Sequence, residues 1–533
     1  MVIFIILTFF GFWLVIGNTR REPDWRVSFV QALILWATYL TLTTEILSLF
    51  NWITVAGLSV VWVTPCFVFI VLFWIGFKKG RILRFPIIYH LRSRLVAFMD
   101  VLIVIIMLVT LIICFVSPPN SLEAMTYRLP RVAHWAQQQN LGHYAASTEA
   151  QNSAAPGYEI ILLNFFIMAK GDGWSNIITW LALFGCIEAI MGLAAMFGST
   201  PKGTRLSAMF AVSLPIAIVQ ASSSLNDLVL GLWIMGCVLM ILLYRNDGFK
   251  SFYIILAALS AGLAVITKPT ALIFLAPFIV YLLILIIKQK GFFKTLGWVL
   301  ISFGLIVILS GGYLIRNQIT YGEVYSLEAL EIEVNENINL PTMTSNILRN
   351  TALQINIPWV KTNFIIEKGL ESFHESLGLP IDDPSTTVGG LFSLPGFNTS
   401  ELTSGNPLHL LLIAISFVTV FVLFFKKKLD WELFVYVCSI LVAGMLFNLL
   451  MKTDLTGSSL QMPFFFLYAP IVGFLLGKSE KLRIGRWVGV ILFVFALPWI
   501  FSVKERPIVV LDGITYDRSI LTTKRDELYF TSQ

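Results

Sequence analysis

Long apolar runs alternate with short polar segments along the whole 533-residue chain. Fourteen runs are long enough, within a few residues at each end, to cross about 30 Å of hydrocarbon as helices. They are 2–17, 28–50, 52–77, 95–117, 174–198, 204–222, 228–244, 251–267, 271–288, 295–314, 406–425, 433–451, 462–478 and 487–503. The pattern therefore predicts an all-α polytopic membrane protein with about 14 transmembrane helices.

Composition supports this prediction and adds a limit on the chemistry. Hydrophobic residues make up 57% of the chain and charged residues 13%, about half the charged share of a soluble domain. All five cysteines fall inside apolar runs, so we expect neither a disulfide framework nor a zinc site in an aqueous loop. The first run has no basic residue before it and no small-x-small cleavage site, which favours an uncleaved anchor.

The distribution of charge predicts how the chain crosses the membrane. Seven loops on one side of the predicted topology together carry 23 of the 37 Lys and Arg but only 6 of the 31 Asp and Glu. We take these loops as cytoplasmic; they are 18–27, 78–94, 199–205, 245–250, 288–294, 426–432 and 478–486. The positive-inside rule then places both termini outside the cytoplasm. We expect a multi-pass protein of a bacterial plasma (inner) membrane, with its polar loops on the extracytoplasmic face.

This topology predicts three regions of the chain. Residues 1–94 form an accessory N-terminal bundle, residues 95–503 a transmembrane core, and residues 504–533 a short extracytoplasmic tail. The core carries two long outer loops, 118–173 and 315–405, the second of roughly ninety residues. The cytoplasmic loops contain no Walker motif, no GxGxxG after a strand and no soluble nucleotide-binding domain. We therefore expect chemistry at the outer face, and no nucleic-acid partner.

The first outer loop holds the densest group of titratable residues, in NSLEAMTYRLPRVAHWAQQQNLGHY (120–144). The prolines before Glu123 end the fourth apolar helix, and Pro130 suits the first turn of a new one. In that helix Leu129, Val132, Ala133 and Ala136 share an apolar face, and Arg131, His134 and Gln138 the opposite one. We predict an interfacial helix along the membrane surface, and a second interfacial or re-entrant helix over 158–171.

Each charged residue of the outer face also has an ordinary interpretation. Glu123 is either a solvated loop carboxylate or a reactive acid held at the membrane surface. Asp227 suits the N-terminal cap of the following helix, a role that leaves a catalytic or metal-binding one open. Arginines at this depth contact lipid headgroups as readily as a substrate. Lys268 lies in a turn of two or three residues, where an unpaired charge is costly.

Several motifs together resemble the GT-C glycosyltransferases, which use lipid-linked sugars and include protein mannosyltransferases and aminoarabinose transferases. A bacterial branch has a first outer loop of roughly D-x-M-x-Y-H-L-P-R-V-x-H-W, which here is EAMTYRLPRVAHW (123–135). The similarity continues, in order, from about residue 95 to 475, through NDL (226–228), ITKPTAL (266–272), YLIRN (313–317), LGLPIDDPSTT (377–387), GNPLHLLL (405–412) and LQMPFFFLYAP (460–470). The chain departs from the branch at Glu123 (Asp), Arg128 (His) and Ser459 (Arg).

The resemblance implies inverting transfer of a sugar from a polyprenyl-phosphate donor to a lipid, glycan or protein acceptor at the outer membrane surface. It implies Glu123 and Asp227 as catalytic residues, with Glu123 the base. It further implies that donor phosphate or substrate is bound by Tyr127, Arg128, Arg131, His134, Asn226, Lys268, Arg316 and Asn317. Metal dependence stays open; a divalent Mg²⁺ or Mn²⁺ ion would be held by Glu123 and Asp227.

Two alternative functions remain from the sequence. A ligase or polymerase of lipid-linked glycans can share this architecture and differs in using a donor with a long glycan. A transporter or lipid flippase places ionisable residues near the bilayer midplane, often in inverted repeats. Here only Glu45, Asp100 and Glu188 are acids inside predicted spans, and the chain shows no internal repeat, so the pattern favours chemistry at the outer surface.

Overall fold

The computed structural model describes residues 1–19, 24–79, 84, 94–324, 333–355, 357–376, 378–478 and 484–530. Nearly all of its regular structure is helical. The helices are α1 (Val2–Asn18), α2 (Trp25–Leu49), α3 (Val55–Lys78), α4 (Arg94–Val116), α5 (Leu129–Gln138), α6 (Ala150–Ser153), α7 (Gly157–Ala169), α8 (Ile177–Met196), α9 (Pro201–Val212), α10 (Pro215–Ala221), α11 (Asp227–Asn246), α12 (Ser251–Thr267), α13 (Ala271–Lys290), α14 (Phe292–Tyr321), α15 (Leu340–Leu353), α16 (Val360–Ser376), α17 (Pro407–Phe425), α18 (Trp431–Leu450), α19 (Met462–Lys478), α20 (Ile484–Phe501) and α21 (Arg525–Leu528).

A helix occupies each of the fourteen predicted apolar runs, but the predicted number of spans is not confirmed. Within the described residues, eleven helices are long and apolar enough to cross a membrane, or twelve if the bent pair α9–α10 is one span. Helices α1 and α12 have 17 residues each, about 25 Å at 1.5 Å per residue. The polytopic all-α class is confirmed at this coarser level.

The predicted single span over 204–222 is broken. Helix α9 ends at Val212, α10 begins at Pro215, and their axes differ by 68°. Proline has no N–H to continue the helical hydrogen bonds, and it disfavours helical geometry at the preceding residue. Leu214 accordingly has extended geometry, with ψ of 116°. The bend directs α10 toward the polar end of the bundle.

One continuous hydrophobic core joins the N-terminal helices to the rest of the bundle. Helix α2 packs against α7, α8 and α12, and its apolar residues belong to the same cluster as those of α8 and α11. Helices α9 and α19 pack together along an extensive interface. A Cβ on Gly477 would lie 2.6 Å from Gly203 Cα, and one on Gly473 2.0 Å from Ser207 Oγ. Small residues permit this contact between backbones, as in other membrane bundles.

The polar regions predicted to share one face meet at one end of the bundle. In the long loop, β1 (Thr387–Val388) pairs in parallel with β2 (Thr453–Asp454) of the link between α18 and α19. An isolated bridge joins Val334 to Met451. Asn335 and Asn346 donate hydrogen bonds to backbone carbonyls at the end of α18. The long loop is therefore attached to the same helix ends that carry the short outer links.

The C-terminal tail docks on this same end of the bundle. The buried Arg506 guanidinium donates to Glu401 Oε2 at 2.7 Å and to Asn120 Oδ1 at 3.1 Å. Asn120 in turn donates to the carbonyl oxygens of Glu505 and Leu528. The tail thus ties the first outer loop to the long one, so all three regions lie on one side.

Some predictions concern residues outside the described ranges. Much of the basic loop 78–94 and of the loop 478–486 is among them, as are residues 20–23 and Leu377 of the LGLPIDDPSTT motif. The orientation that these loops predict stays a prediction. In the described part of the motif, Asp383 Oδ1 accepts the Ser385 N–H at 2.9 Å, the turn geometry expected of an Asp before proline and serine.

Candidate functional site

A cavity of about 380 Å³ lies where the outer loops meet the helix ends. Its wall combines the first outer loop, the starts of α11 and α13, and the link after α18. The charged side chains lining it are Glu123, Arg128, Asp227, Lys268, Glu333, Lys452 and Asp454. Tyr127, Asn226, Ser153, Ser459, three threonines and a set of small or apolar residues complete the wall. Carboxylates and cations thus converge on one enclosed space from segments far apart in sequence.

A π-helical turn, Ala124–Arg128, positions Glu123 at the cavity. Its wider winding brings residues five apart in sequence onto one side. Glu123 Oε2 accepts hydrogen bonds from the Tyr127 hydroxyl at 2.9 Å and from Arg128 Nη2 at 2.6 Å. The Glu123 side chain keeps 34% of its surface exposed. It is therefore oriented by two neighbours and still open to a bound molecule.

Behind this turn, Arg128 is buried between two carboxylates. Its Nη1 donates to Glu159 Oε1 at 2.7 Å, while its Nη2 binds Glu123. Burial alone lowers the pKa of Arg128, but Tyr127 and the two adjacent carboxylates raise it well above its ordinary value. Arg128 is thus a permanent cation whose strongest contacts are already made within the protein.

A second ion pair joins the starts of two neighbouring helices. Lys268 Nζ donates to Asp227 Oδ1 at 2.7 Å, and Gln220 Nε2 donates to Asp227 Oδ2 at 3.1 Å. The Ser459 side chain also interacts with the Asp227 carboxylate. Burial alone lowers the pKa of Lys268, whereas the Asp227 and Glu123 carboxylates raise it above its ordinary value. Lys268 is therefore cationic at neutral pH. The Asp227 carboxylate thus binds the side chains of Lys268 and Gln220. The residue at the N-terminal cap position of α11 is Asn226 rather than Asp227.

The rim of the cavity adds a cation that the sequence motifs did not indicate. Lys452 is largely buried, lines the cavity and donates to Glu336 Oε1 at 2.9 Å. Glu333 and Asp454 line the same rim. The strand pairing between the long loop and the link after α18 places these residues there. Lys452 thus supplies positive charge near Ser459, where the resembling branch has an arginine.

Of the predicted substrate-binding residues Tyr127, Arg128 and Arg131 of the first outer loop, two line the cavity. Tyr127 and Arg128 line it. Arg131, predicted on an exposed polar face, is instead fully buried, and its guanidinium donates to the carbonyls of Ala150, Gln151 and Ala154. The face prediction is wrong for this residue because local helical periodicity does not include the covering segment 150–154.

His134 and the pair Arg316–Asn317 do not line the cavity. The His134 ring stacks on Tyr144 with centroids 3.9 Å apart. Arg316 forms a bidentate pair with Glu45, with both N–O distances 2.8 Å. The intramembrane Glu45, for which the sequence indicated no partner, therefore has one. Asn317 is buried and donates to the Val324 carbonyl at 3.4 Å.

Replacing Arg316 by Gln is expected to lower the melting temperature while leaving donor binding intact. The variant leaves Glu45 without its cationic partner, and breaking a buried ion pair costs about 3–5 kcal/mol. Both side chains are partly exposed, so we expect a loss of stability at the low end of this range. The double variant Glu45→Gln/Arg316→Gln should recover most of the stability. Loss of donor binding at an unchanged melting temperature would instead show that Arg316 contacts the donor.

Helix α7, predicted as interfacial or re-entrant, has nearly every side chain buried. It packs against α2, α3, α5 and α12, which excludes a helix with one face in water. Its one acid, Glu159, is fully buried beside Arg128 and Arg131. Sequence reasoning missed Glu159, although a lone acid in an apolar run is itself a signal of function.

A divalent ion would meet two carboxylates that already have cationic partners. Glu123 binds Arg128, and Asp227 binds Lys268. In the described part of the chain, no three His, Cys, Asp or Glu side chains are grouped closely enough to hold a metal ion. The donor set therefore offers at most these two acids to Mg²⁺ or Mn²⁺, and metal dependence stays open.

A second cavity, of about 370 Å³, lies between α1, α2, α7, α8 and α11 and is lined only by aliphatic and aromatic side chains. It has no group able to transfer a proton or bind a phosphate. The polar cavity is therefore the candidate active site.

Comparison of the chain with protein-family models, with curated proteins and with solved structures finds no match. The resemblance to GT-C enzymes consequently rests on the motifs alone.

Proposed function

We propose that the protein is a membrane glycosyltransferase that moves a sugar from a polyprenyl-phosphate donor to a lipid, glycan or protein acceptor. The observation that carries the proposal is the polar cavity, where a partly exposed carboxylate faces an enclosed space with two lysines on its wall. The GT-C-like motifs supply the substrate class. We further propose that the cavity opens on the extracytoplasmic face of a bacterial plasma membrane.

In the proposed reaction, the acceptor hydroxyl or amine attacks the anomeric carbon of the sugar. The bond from that carbon to the phosphate oxygen breaks, and polyprenyl phosphate leaves with the bonding electrons. Glu123 accepts the proton of the acceptor. An inverting transfer needs one base, on the sugar face opposite the leaving group. A glycoside hydrolase, by contrast, uses a pair of carboxylates to activate water and protonate the leaving oxygen.

Lys268 and Lys452 are the proposed contacts for the leaving phosphate. Both line the cavity, and within the described residues each ammonium group donates to one carboxylate, so further donor protons remain on each. Arg128 is a weaker choice because its guanidinium is already shared by Glu123 and Glu159. Asp227 is the proposed orienting partner of Lys268. If a divalent ion takes part, Glu123 and Asp227 are its proposed ligands.

The test is sugar transfer in membranes supplied with a panel of polyprenyl-phosphate sugars. Release of polyprenyl phosphate together with a glycosylated product is expected for the matching donor, and a chelator added to the same assay measures metal dependence. Movement of the intact donor across the bilayer, with no cleavage, would replace the proposal by a flippase. Activity restricted to donors with a long glycan would replace it by a ligase or polymerase.

A further inference from the structure

A buried network of charges continues the site behind the cavity wall. Arg128, Arg131 and Glu159 are almost completely buried. Arg128 binds Glu159 through Nη1 at 2.7 Å and Glu123 through Nη2 at 2.6 Å. Arg131 Nη1 lies 3.8 Å from Glu159 Oε2. One guanidinium is thus shared between an acid that faces the cavity and an acid that is closed off from it.

The charges of this network balance. Two arginines face two carboxylates, so loss of either acid leaves a buried excess of positive charge, which is costly. With Glu159 present, the attraction of Arg128 is divided between two carboxylates. Without it, the full attraction falls on Glu123, and an acid in such an undivided pair favours its ionised form and takes up a proton less readily.

We propose that Glu159 is a positioning residue for Glu123: it binds the second arm of the Arg128 guanidinium and so fixes the direction in which the Glu123 carboxylate faces the cavity. The base role of Glu123 rests on the proposed function. The electrostatic link between the two acids does not, and it can be measured separately.

The two arginines provide the dominant charge interactions of Glu159, because the other groups near it are neutral. Besides Arg128 and Arg131, its charge interacts with the phenols Tyr127, Tyr158 and Tyr313, from the π-helical turn, α7 and α14. Phenols are neutral at neutral pH, with ordinary pKa values near 10. The replacement Glu159→Gln therefore changes the charge opposite Glu123 with no ionised tyrosine to compensate.

The first measurement is modification of Glu123 by a hydrophobic carbodiimide, which reacts with protonated carboxyl groups. Mass spectrometry of the purified full-length protein gives the modification rate against pH. In Glu159→Gln, we expect the rate at Glu123 to fall about tenfold at a fixed mildly acidic pH, equivalent to about one pH unit. Glu371 on α16, a partly exposed carboxylate that pairs with Lys368 away from the cavity, provides an internal control, and its rate should not change.

The direction of the change separates positioning from a merely structural role. If Glu159 only held α7 and α5 together, its loss would release Arg128, and Glu123 would lose its cation and be modified faster. A faster or unchanged rate at Glu123 overturns the proposal. If Glu159→Gln does not accumulate in folded form, Arg131→Gln/Glu159→Gln removes one charge of each sign, keeps the Arg128–Glu123 contact, and should also slow modification.

The second measurement is sugar transfer by the same variants. We expect Glu159→Gln to lower kcat at least tenfold, to leave the donor KM within about threefold, and to move the acid limb of the pH–rate profile to lower pH. Glu371→Gln should behave as wild type. An unchanged kcat and pH profile overturn the proposal. Slower modification in a protein that transfers no sugar supports the link between the acids and contradicts the glycosyltransferase function instead.

Discussion

Glu123→Gln is expected to reduce the rate of sugar transfer by about 10²- to 10⁴-fold, the usual contribution of a positioned general base. The amide oxygen of Gln can still accept hydrogen bonds from Tyr127 and Arg128, whose other contact, with Glu159 at 2.7 Å, remains. The variant should therefore fold, with a lower melting temperature because one positive charge of the buried network is left unbalanced, and the loss of rate should appear in kcat rather than in the donor KM. The measurement is initial transfer rate per folded protein, in membranes supplied with the active donor.

Two further variants serve as controls for the Glu123→Gln measurement. Glu371→Gln makes the same chemical change at a partly exposed position on α16, outside the cavity, and should leave transfer unchanged. Glu123→Asp restores the residue usual in the resembling branch and should keep a measurable part of the activity, reduced by its shorter reach. Equal rates for Glu123→Gln and wild type would remove Glu123 from catalysis, and Asp227→Asn would then be the variant to test for the base.

Lys268→Gln is expected to weaken donor binding about ten- to a hundredfold, as when a hydrogen bond to a charged group worth roughly 1.5–3 kcal/mol is lost. Lys268 is three-quarters buried and lies on the cavity wall, where a lipid phosphate would replace part of its hydration. A titration of the protein with polyprenyl phosphate alone measures this affinity. Lys361→Gln, an exposed lysine of α16, is the matched control.

The same variant should also lower stability, because Asp227 is left buried without its cation. Such a loss costs about 3–5 kcal/mol for a buried pair. The double variant Asp227→Asn/Lys268→Gln removes both charges and should regain stability without regaining affinity. Recovery of both together would show that Lys268 acts only through the fold. Lys268→Arg should retain stability and a large part of the binding.

The departures of this chain from the resembling branch have a structural explanation in two cases. The π-helical turn places Arg128 beside Glu123, so the longer Glu side chain meets a cation where the branch has His. Ser459 interacts with Asp227, and Lys452, seven residues earlier in the chain, lies on the same cavity wall. The cavity wall thus has a cation close in sequence to the position where the resembling branch has Arg.

How far the sequence predicts each part of the site depends on the distance over which the relevant contacts act. The short turn at Lys268 predicts only that an unpaired charge there is costly, and the resemblance assigns this lysine to the donor. Its partner within the protein, Asp227, lies 41 residues earlier in the chain. Arg131 was assigned to the wrong environment because the carbonyls that enclose it come from a later segment. Arg316 was assigned to the donor, while its carboxylate partner is 271 residues earlier.

The sequence by itself determined that the chain is a helical membrane protein, where its apolar helices lie, and where its polar loops begin. Hydrophobicity acts on each run locally, so run length and the position of prolines are enough for these features. Only the tertiary structure decided that Arg128 is shared between Glu123 and Glu159, and that Lys452 joins the cavity. Those features depend on charges and backbone groups from distant segments, which balance one another only when the helices are packed together.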